Sequence, residues 1–136
     1  MNVAVAIALK IPDNTAYTAA VALRRLGLGV GRVERSEIWL FDDEGDSRAL
    51  LRRIEADERI FNPNKHVATI LARPAPRAGE VWIESLDADA QPQQSRRAAA
   101  IAWRLLDAHG APLDAGGLRA AIERLLCNPA IERAVY

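Results

Sequence analysis

Histidine and cysteine are the side chains of this sequence best suited to acid–base or nucleophilic chemistry, and the chain holds two histidines and one cysteine. A histidine can exchange a proton near neutral pH, so His66, at the start of a predicted strand, is a candidate general base. Such a base needs a nucleophile or an oriented substrate beside it. Neither a Gly-x-Ser-x-Gly motif nor a histidine close to Cys127 in sequence supplies one. We interpret His109 as a favourable cation at a helix C-terminus and Cys127 as a half-buried structural residue, and we assign no catalytic residue.

The richest group of carboxylates is an acidic turn at Asp42, Asp43, Glu44 and Asp46. Carboxylate oxygens are the ligands that Mg²⁺ and Ca²⁺ prefer, but the spacing differs from a calcium-binding loop and lacks its bidentate glutamate. The pattern favours a solvated turn in which Asp46 or Ser47 caps the following helix. We therefore assign no metal-binding residue.

A Gly-x-Gly-x-Gly pattern at Gly27, Gly29 and Gly31 invites comparison with the glycine-rich loops that bind phosphate. In those loops the glycines follow a strand and precede a helix, so that the phosphate meets a helix N-terminus. Here the order is reversed, because the glycines follow a predicted helix and precede a predicted strand. We assign no cofactor-binding residue and expect no cofactor.

Paired arginines and scattered tryptophans are the other side chains that could contact a ligand or a partner. The arginine pairs lie on separate predicted helices, at Arg24-Arg25, Arg52-Arg53 and Arg96-Arg97. They are typical of solvated helix surfaces, whereas convergence would let them hold a phosphate or a carboxylate. The tryptophans fall in strands at Trp39 and Trp82 and in a helix at Trp103. We expect them in the core, unless one on an outer strand face indicates an interface.

Length and composition bound the class of protein. The chain has 136 residues, half of them hydrophobic, and its 18 basic residues balance 18 acidic ones. This is the size of one domain with a packed core, and it lacks the basic surface typical of nucleic-acid binding. Its apolar runs are shorter than the roughly 20 residues that span a bilayer, and no signal peptide is evident. One cysteine excludes an internal disulfide. We expect a cytoplasmic protein with no nucleic-acid and no membrane partner.

The elements that must position these residues begin with a strand at residues 3–9. Bulky Val3 and Ile7 alternate there with Ala4, Ala6 and Ala8, which is the period of a strand with one small-residue face. Another backbone or helix can approach such a face closely. Asp13 or Asn14 then caps a helix that ends near Leu26.

The next strand, residues 30–41, is polar at first and apolar on both faces at its end. At about 3.3 Å per residue it is unusually long, so we expect a bulge near residues 34–37 or two consecutive strands. A second helix follows and ends at Asn62-Pro63, and residues 65–72 form a third strand.

The second half begins after a proline-rich linker at residues 73–79. We predict a strand at 81–86, a loop at 87–94, a helix from Ser95 to about Ala108, a helix capped by Asp114 and ended by Asn128-Pro129, and a strand at 131–136. The predicted fold is an α+β two-layer sandwich of ferredoxin-like type, with a mostly antiparallel sheet and helices on one face. Both halves end in a helix stopped by Asn-Pro, which suggests a partial internal duplication. We divide the chain at 1–73 and 80–136 and expect one compact domain.

The first half resembles the small PurS subunit of phosphoribosylformylglycinamidine synthase, an enzyme of purine biosynthesis. The shared features are a Val-x-Val strand ending at Leu9-Lys10, a Pro12-Asp13 turn, a helix at 20–27 and a strand at 30–40. The family's second helix typically ends Leu-Leu-Ala-Asn-Pro-Val-Ile-Glu, which residues 125–132 match well and residues 60–65 match poorly. The resemblance extends over residues 3–72 and again over 118–136.

The resemblance implies a non-catalytic subunit that bridges a large synthetase subunit and a glutaminase subunit and helps pass ammonia in an ATP-dependent reaction. Family members form dimers through their sheets, and this chain is nearly twice their length, so it resembles a fused pseudo-dimer. We expect a homo-oligomer, and the strand at residues 30–41 is our candidate interface because a strand that overhangs its domain can pair with a partner.

Two other functions stay open at this stage. One is a small-ligand-binding regulatory module with a ferredoxin-like sheet, in which the ligand contacts the alanine face and the glycines at an element junction. The other is a small enzyme that uses His66 or acidic residues in a cleft.

Overall fold

The computed structural model describes residues 2–42, 45–86 and 98–136. Its strands are β1 (Asn2–Leu9), β2 (Arg32–Asp42), β3 (His66–Ile70), β4 (Glu80–Ser85), β5 (Ala100–Leu106) and β6 (Glu132–Val135). Its helices are α1 (Asn14–Arg25), α2 (Ser47–Glu55) and α3 (Ala115–Ala121), and α3 continues into a π-helical turn (Ile122–Leu126). Within these residues, every helix is too short or too polar to cross a lipid bilayer.

An aspartate caps each helix and explains where it begins. The carboxylates of Asp13, Asp46 and Asp114 each accept a hydrogen bond from the main-chain N–H three residues later, at 3.1, 3.0 and 2.8 Å. These bonds satisfy N–H groups that have no partner inside the helix. The caps expected at Asp46 and Asp114 are confirmed, and at the first helix the cap is Asp13 rather than Asn14.

The six strands form one antiparallel sheet in the order β3-β1-β2-β5-β4-β6. On one face, called here the helical face, Val5 and Ile7 of β1 pack with α2, and Leu105 of β5 packs with α1 and α3. On the second face, Ala4 of β1 packs with Trp82 of β4. The predicted α+β two-layer architecture with an antiparallel sheet and helices on one face is confirmed.

Strand β2 is continuous, and the expected bulge near residues 34–37 is wrong. Its second half pairs with β1, from Glu37 opposite Ile7 to Asp42 opposite Asn2. Its first half pairs with β5, from Arg32 opposite Leu106 to Ile38 opposite Ala100. The composition changes along the strand because its neighbour changes. This also corrects the view of β2 as an overhanging edge strand, since it lies in the middle of the sheet.

The helix predicted between Ser95 and about Ala108 is also wrong where the structure describes it, because Ala100–Leu106 is β5. Ala100 and Ala102 point to the second face, while Trp103 and Leu105 point to the helical face. Its many alanines suggested a helix, but its two buried neighbours impose a strand. Ser95 and the loop predicted at 87–94 lie outside the described residues.

The second helix is shorter than expected. Helix α2 ends at Glu55, well before the predicted stop at Asn62-Pro63, and residues 57–60 form turns. Phe61 is nevertheless buried in the same cluster as Leu50 and Ile54. Phe61 therefore packs on the helical face although it lies outside α2.

The two halves of the chain repeat one arrangement. In β3-β1-β2 the first strand is central, and in β6-β4-β5 the first strand of the second half is central. Glu37, opposite Ile7 in the first unit, and Ile101, opposite Ile83 in the second, face each other in the β2–β5 pairing. A pseudo-two-fold axis therefore passes between Glu37 and Ile101.

The turns before β3 and β6 repeat this relationship in detail. The carbonyl of Asn62 accepts from the N–H of His66 at 2.8 Å, and the carbonyl of Asn128 accepts from Glu132 at 2.8 Å. In return, the N–H of each asparagine donates to the side chain four residues later, to His66 Nδ1 and to Glu132 Oε1, both at 2.9 Å. The two Asn-Pro turns noticed in the sequence have one hydrogen-bonding pattern.

Residues 71–79 connect β3 to β4, which lie on opposite sides of β1, β2 and β5. Leu71 packs with Ala4 and Trp82 on the second face, and Arg77 reaches Glu80 there. The connection therefore crosses the second face. This is the close approach expected of the alanine face of β1, and it joins the two predicted units, 1–73 and 80–136, in one sheet.

Candidate functional site

A cleft of about 640 Å³ opens in the described part of the chain where β1 and β2 separate. Their pairing stops at Ile7 and Glu37, after which β1 continues only beside β3. Beyond that point β2 runs on beside β5, and α1 begins over the gap. The cleft is therefore bounded by the end of β1, one side of α1 and the first half of β2.

Arg35 is the most unusual side chain of this cleft. Its guanidinium carbon lies 5.6 Å from the centre of the Trp103 ring, within range of a cation–π contact. Its Nε is buried and has no hydrogen-bond partner. Its side chain is about one-third exposed at the cleft. A guanidinium prefers to use its whole fork of N–H donors, so Arg35 has donor capacity that the protein itself does not use.

The nearest carboxylate to Arg35 is Asp13, but it does not satisfy the guanidinium. The closest approach, between Arg35 Nη1 and Asp13 Oδ2, is 3.7 Å, which is an ion pair but too long for a hydrogen bond. The other oxygen of Asp13 accepts the N–H of Ala16 and caps α1. Asp13 is thus held by the helix while Arg35 stays only loosely paired.

Cations outnumber carboxylates around the cleft. The lining contains Lys10, Arg24, Arg32 and Arg35 against Asp13 and Glu34. Glu34 lies between two arginines, 3.4 Å from Arg32 and 3.6 Å from Arg104. The lining is therefore suited to an anion, and of the two arginine pairs that the structure describes, Arg24-Arg25 and Arg52-Arg53, only Arg24 contributes to it.

His66 lies beside a smaller pocket of about 100 Å³ that Arg35 also lines. Its Nδ1 accepts the N–H of Asn62 at 2.9 Å, and its ring packs against Phe61 with the centroids 5.9 Å apart. These contacts give His66 a structural role in the turn before β3. No serine, threonine or cysteine lines that pocket other than Ser36.

Neither His109 nor Cys127 lines the cleft. His109 follows β5, so its interpretation as a helix C-terminal cation is wrong; its N–H donates to the carboxylate of Asp107 at 2.8 Å. Hydrogen bonds from the N–H groups of Ala111 and His109 lower the pKa of Asp107. Cys127 is half-buried after the π-helical turn, as expected, and burial raises the pKa of its thiol. A raised pKa suits an unreactive thiol.

The acidic turn and the glycines have structural roles. Asp46 caps α2, and among the described residues no three His, Cys, Asp or Glu side chains form a metal-binding group; Asp43 and Glu44 lie outside them. Gly31 allows β2 to approach the turn after β5, because a Cβ there would lie 2.5 Å from the carbonyl oxygen of Asp107.

The tryptophans are in the sheet. Trp39 packs on the helical face and Trp82 is buried on the second face. Trp103 lies in β5, not in the predicted helix, and is the platform for Arg35. Arg96 and Arg97 lie outside the described residues.

A second arginine–carboxylate pair, on the second face, was missed by sequence reasoning. Glu80 is 1 % exposed and accepts from Arg77 Nη2 at 2.6 Å, from the Arg77 N–H at 2.9 Å and from Trp82 Nε1 at 3.1 Å. Burial alone would raise the pKa of Glu80, but the hydrogen bonds from Arg77 outweigh it and lower this pKa below its ordinary value. Both carboxylate oxygens of Glu80 therefore accept hydrogen bonds.

Arg35 was also missed, because in the sequence it is one of several charged residues in the polar half of a long strand. The strand did carry a signal: a charged run that continues into an apolar run indicates that the strand changes its neighbouring strand, and a cleft can form at that point.

No protein-family model matches the chain, and neither a curated protein nor a solved structure is significantly similar to it.

Proposed function

We propose that this chain is a cytoplasmic, non-catalytic accessory subunit similar to PurS, which bridges the synthetase and glutaminase subunits of a phosphoribosylformylglycinamidine synthase. The observation that supports this proposal is the pseudo-two-fold arrangement of β3-β1-β2 and β6-β4-β5 about Glu37 and Ile101. The PurS resemblance implies a dimer joined through its sheets. A single chain with two such units joined by β2 and β5 is what a fused pseudo-dimer of that family would require.

The structure favours the outer strands of the sheet, rather than β2, as the interface for a partner. Because β2 pairs with β5 over Arg32–Ile38 and with β1 over Glu37–Asp42, neither of its sides is open along the whole strand, and its capacity to add a partner strand is limited. Strands β3 and β6 are the sheet edges and are equivalent under the pseudo-two-fold axis. Val67 of β3 is 45 % exposed. Edge strands are the usual place for strand addition, so β3 and β6 are the surfaces that we assign to partners or to further copies of this chain.

Affinity co-purification of the tagged chain from its native cells tests the proposal. ATP, Mg²⁺ and glutamine should be present to hold the complex in its ligand-bound states. We expect a large synthetase and a glutaminase to co-purify with the wild-type chain. Recovery of the chain alone, as a stable homo-oligomer, would contradict the accessory role.

A pair of variants locates the interface. Val67→Lys places a charge on the β3 edge, and Leu125→Lys places the same charge on an equally exposed residue (43 %) of the helical layer. We expect Val67→Lys to lose the partners and Leu125→Lys to keep them. Equal capture by both variants would exclude β3 as the interface.

The alternative is a small-ligand-binding regulatory module, and the cleft at Arg35 favours it. Part of the ligand position expected from the sequence is closed, because Ala4 and Ala6 are buried with Leu71 and Trp82. Ala8 and Gly31, which belong to the same expected position, line the cleft. Thermal stabilisation of the chain by a small molecule would support this function, since a ligand that binds only the folded state stabilises it.

A further inference from the structure

We propose that the cleft between β1 and β2 binds a small molecule that carries a phosphoryl group and an apolar part. The proposal does not depend on the accessory role, because the cleft is built by residues of the first unit alone, apart from Trp103 beneath Arg35.

Arg35 is the anchor for the phosphoryl group. Its buried Nε lacks an acceptor, and its nearest carboxylate, Asp13, is 3.7 Å away. The Trp103 ring fixes the guanidinium from one side. A planar guanidinium held in this way is pre-organised for two parallel hydrogen bonds to an oxyanion. Because Nε is buried while the side chain is about one-third exposed, an incoming phosphoryl group would bind the outer Nη groups of Arg35.

The charges around Arg35 favour a doubly charged anion. Four cationic side chains and two carboxylates line the cleft, an excess of two positive charges. Glu34 is already shared between two arginines, and Arg24 makes only a 3.4 Å contact to the carbonyl of Gly31. Arg24 is thus free to turn toward a bound anion, while Lys10 is held at the rim by the carbonyl of Pro63.

The main chain of β2 adds polar groups to the same space. The pairing of β2 with β1 ends at Glu37, so residues 32–36 of β2 have no β1 neighbour on the cleft side. In a sheet this side of the strand presents N–H and C=O groups in alternation. The same opening therefore contains main-chain N–H groups that could bind an anion, together with carbonyl groups such as that of Gly31, which accepts from Arg24.

The size and the apolar lining indicate that the ligand is larger than a phosphate ion. Leu9, Ile11 and Tyr17 line the cleft and are 36, 53 and 68 % exposed. A volume of about 640 Å³ lies within the range of roughly 300–1,000 Å³ typical of small-molecule sites. An aromatic or other apolar group beside the phosphoryl group would cover these side chains.

Isothermal titration calorimetry with phenyl phosphate, at low ionic strength, tests the proposal on the full chain. We expect phenyl phosphate to bind more tightly than inorganic phosphate, and phenol not to bind. Benzoate, which has the same ring with a single negative charge, should bind more weakly. Absence of phenyl phosphate binding, or equal binding of benzoate, would overturn the assignment of a phosphoryl group.

Arg35→Gln and Arg25→Gln make the matched comparison. Arg25 lies on α1 but does not line the cleft. Because a hydrogen bond to a charged group contributes strongly to binding, Arg35→Gln should weaken phenyl phosphate binding about tenfold or more. Arg25→Gln should leave it nearly unchanged. Equal losses would show attraction to the general positive surface, and would contradict a site at Arg35.

A third variant separates binding from folding. Arg35→Lys keeps the charge and loses the planar fork, so it should recover only part of the affinity. Thermal unfolding of each variant without ligand shows whether the fold is intact. If Arg35→Gln is folded and binds phenyl phosphate like the wild type, the proposal is wrong; if it is unfolded, Arg35→Lys and Arg24→Gln give the same test.

Discussion

Two arginine–carboxylate pairs in this molecule differ in how completely the arginine and the carboxylate are hydrogen-bonded to each other. Arg77 and Glu80, on the second face, are joined by hydrogen bonds as short as 2.6 Å, and Glu80 is 1 % exposed. Arg35 and Asp13, at the cleft, approach only to 3.7 Å, and the buried Nε of Arg35 has no partner. The first pair is complete without a ligand, whereas the second has donors to spare.

The position of each pair in the sheet explains the difference. Glu80 begins β4, where the connection from β3 arrives, and the same short segment supplies Arg77 and its N–H. A short loop can adjust its conformation until both oxygens of the carboxylate accept hydrogen bonds. Arg35 lies within β2, held by β5 on one side, and Asp13 is held by its role as the cap of α1. The backbones of both residues are fixed by regular structure, so backbone adjustment does not bring the two side chains closer.

Glu80→Ala should have the largest effect on stability. It leaves Arg77 and the Trp82 indole without their acceptor and opens a space under the connection that crosses the second face. Removal of a buried, hydrogen-bonded charge costs about 3 kcal/mol of unfolding free energy. Urea denaturation measures it. Asp57→Ala removes a carboxylate from an exposed arginine pair and serves as the control, with little effect expected.

Acid should weaken the fold through the same carboxylate. Because the pKa of Glu80 is lower in the folded chain than its ordinary value of 4.5, its charge stabilises the fold fully above that value. The contribution is lost as the pH falls through the lowered pKa. We expect the unfolding free energy to decrease below about pH 4.5, and the decrease to be smaller in Glu80→Gln. Identical pH profiles for the two proteins would show that another carboxylate dominates.

Much of the fold could be predicted because its strands and caps are local features. The alternation of Val5 and Ile7 with alanines defines β1, and Asp46 and Asp114 define where two helices begin. The prediction of a helix at β5 failed because alanines are as typical of a helix as of a strand buried between two others, here β2 and β4. Its state is decided by its neighbours, which a local pattern does not contain.

The site could be predicted less well than the fold. Asp13 was expected as a helix cap, and this role is confirmed, but its proximity to Arg35 depends on where β1 and β2 separate. That point is where β1, which continues beside β3, diverges from β2, which lies beside β5. Both of these neighbouring strands are distant in sequence. The Arg35 Nε without an acceptor results from this topology, and no pattern in the nearby sequence indicates it.

Arg77→Gln and Arg35→Gln test the comparison directly. Loss of Arg77 leaves the buried carboxylate of Glu80 with fewer donors, so we expect a loss of about 2 kcal/mol, reduced because Arg77 itself is 39 % exposed. Loss of Arg35 removes a long ion pair and one cation–π contact, and should cost less than about 1 kcal/mol. Urea denaturation of both variants gives the two values. A larger loss for Arg35→Gln would mean that Arg35 serves the fold.

Asp13→Asn should have the smallest effect on stability and is the sharpest test of the open pair. Asparagine caps a helix as well as aspartate does, so its oxygen can still accept the N–H of Ala16 and the unfolding free energy should change by only a few tenths of a kcal/mol. The negative charge beside Arg35 is lost, however, and with it the repulsion of an incoming anion. Phenyl phosphate should therefore bind severalfold more tightly to Asp13→Asn than to the wild type, opposite in sign to Arg35→Gln. Calorimetry on the two proteins decides the point: an unchanged or weakened affinity would place the anion away from Asp13, and hence away from Arg35.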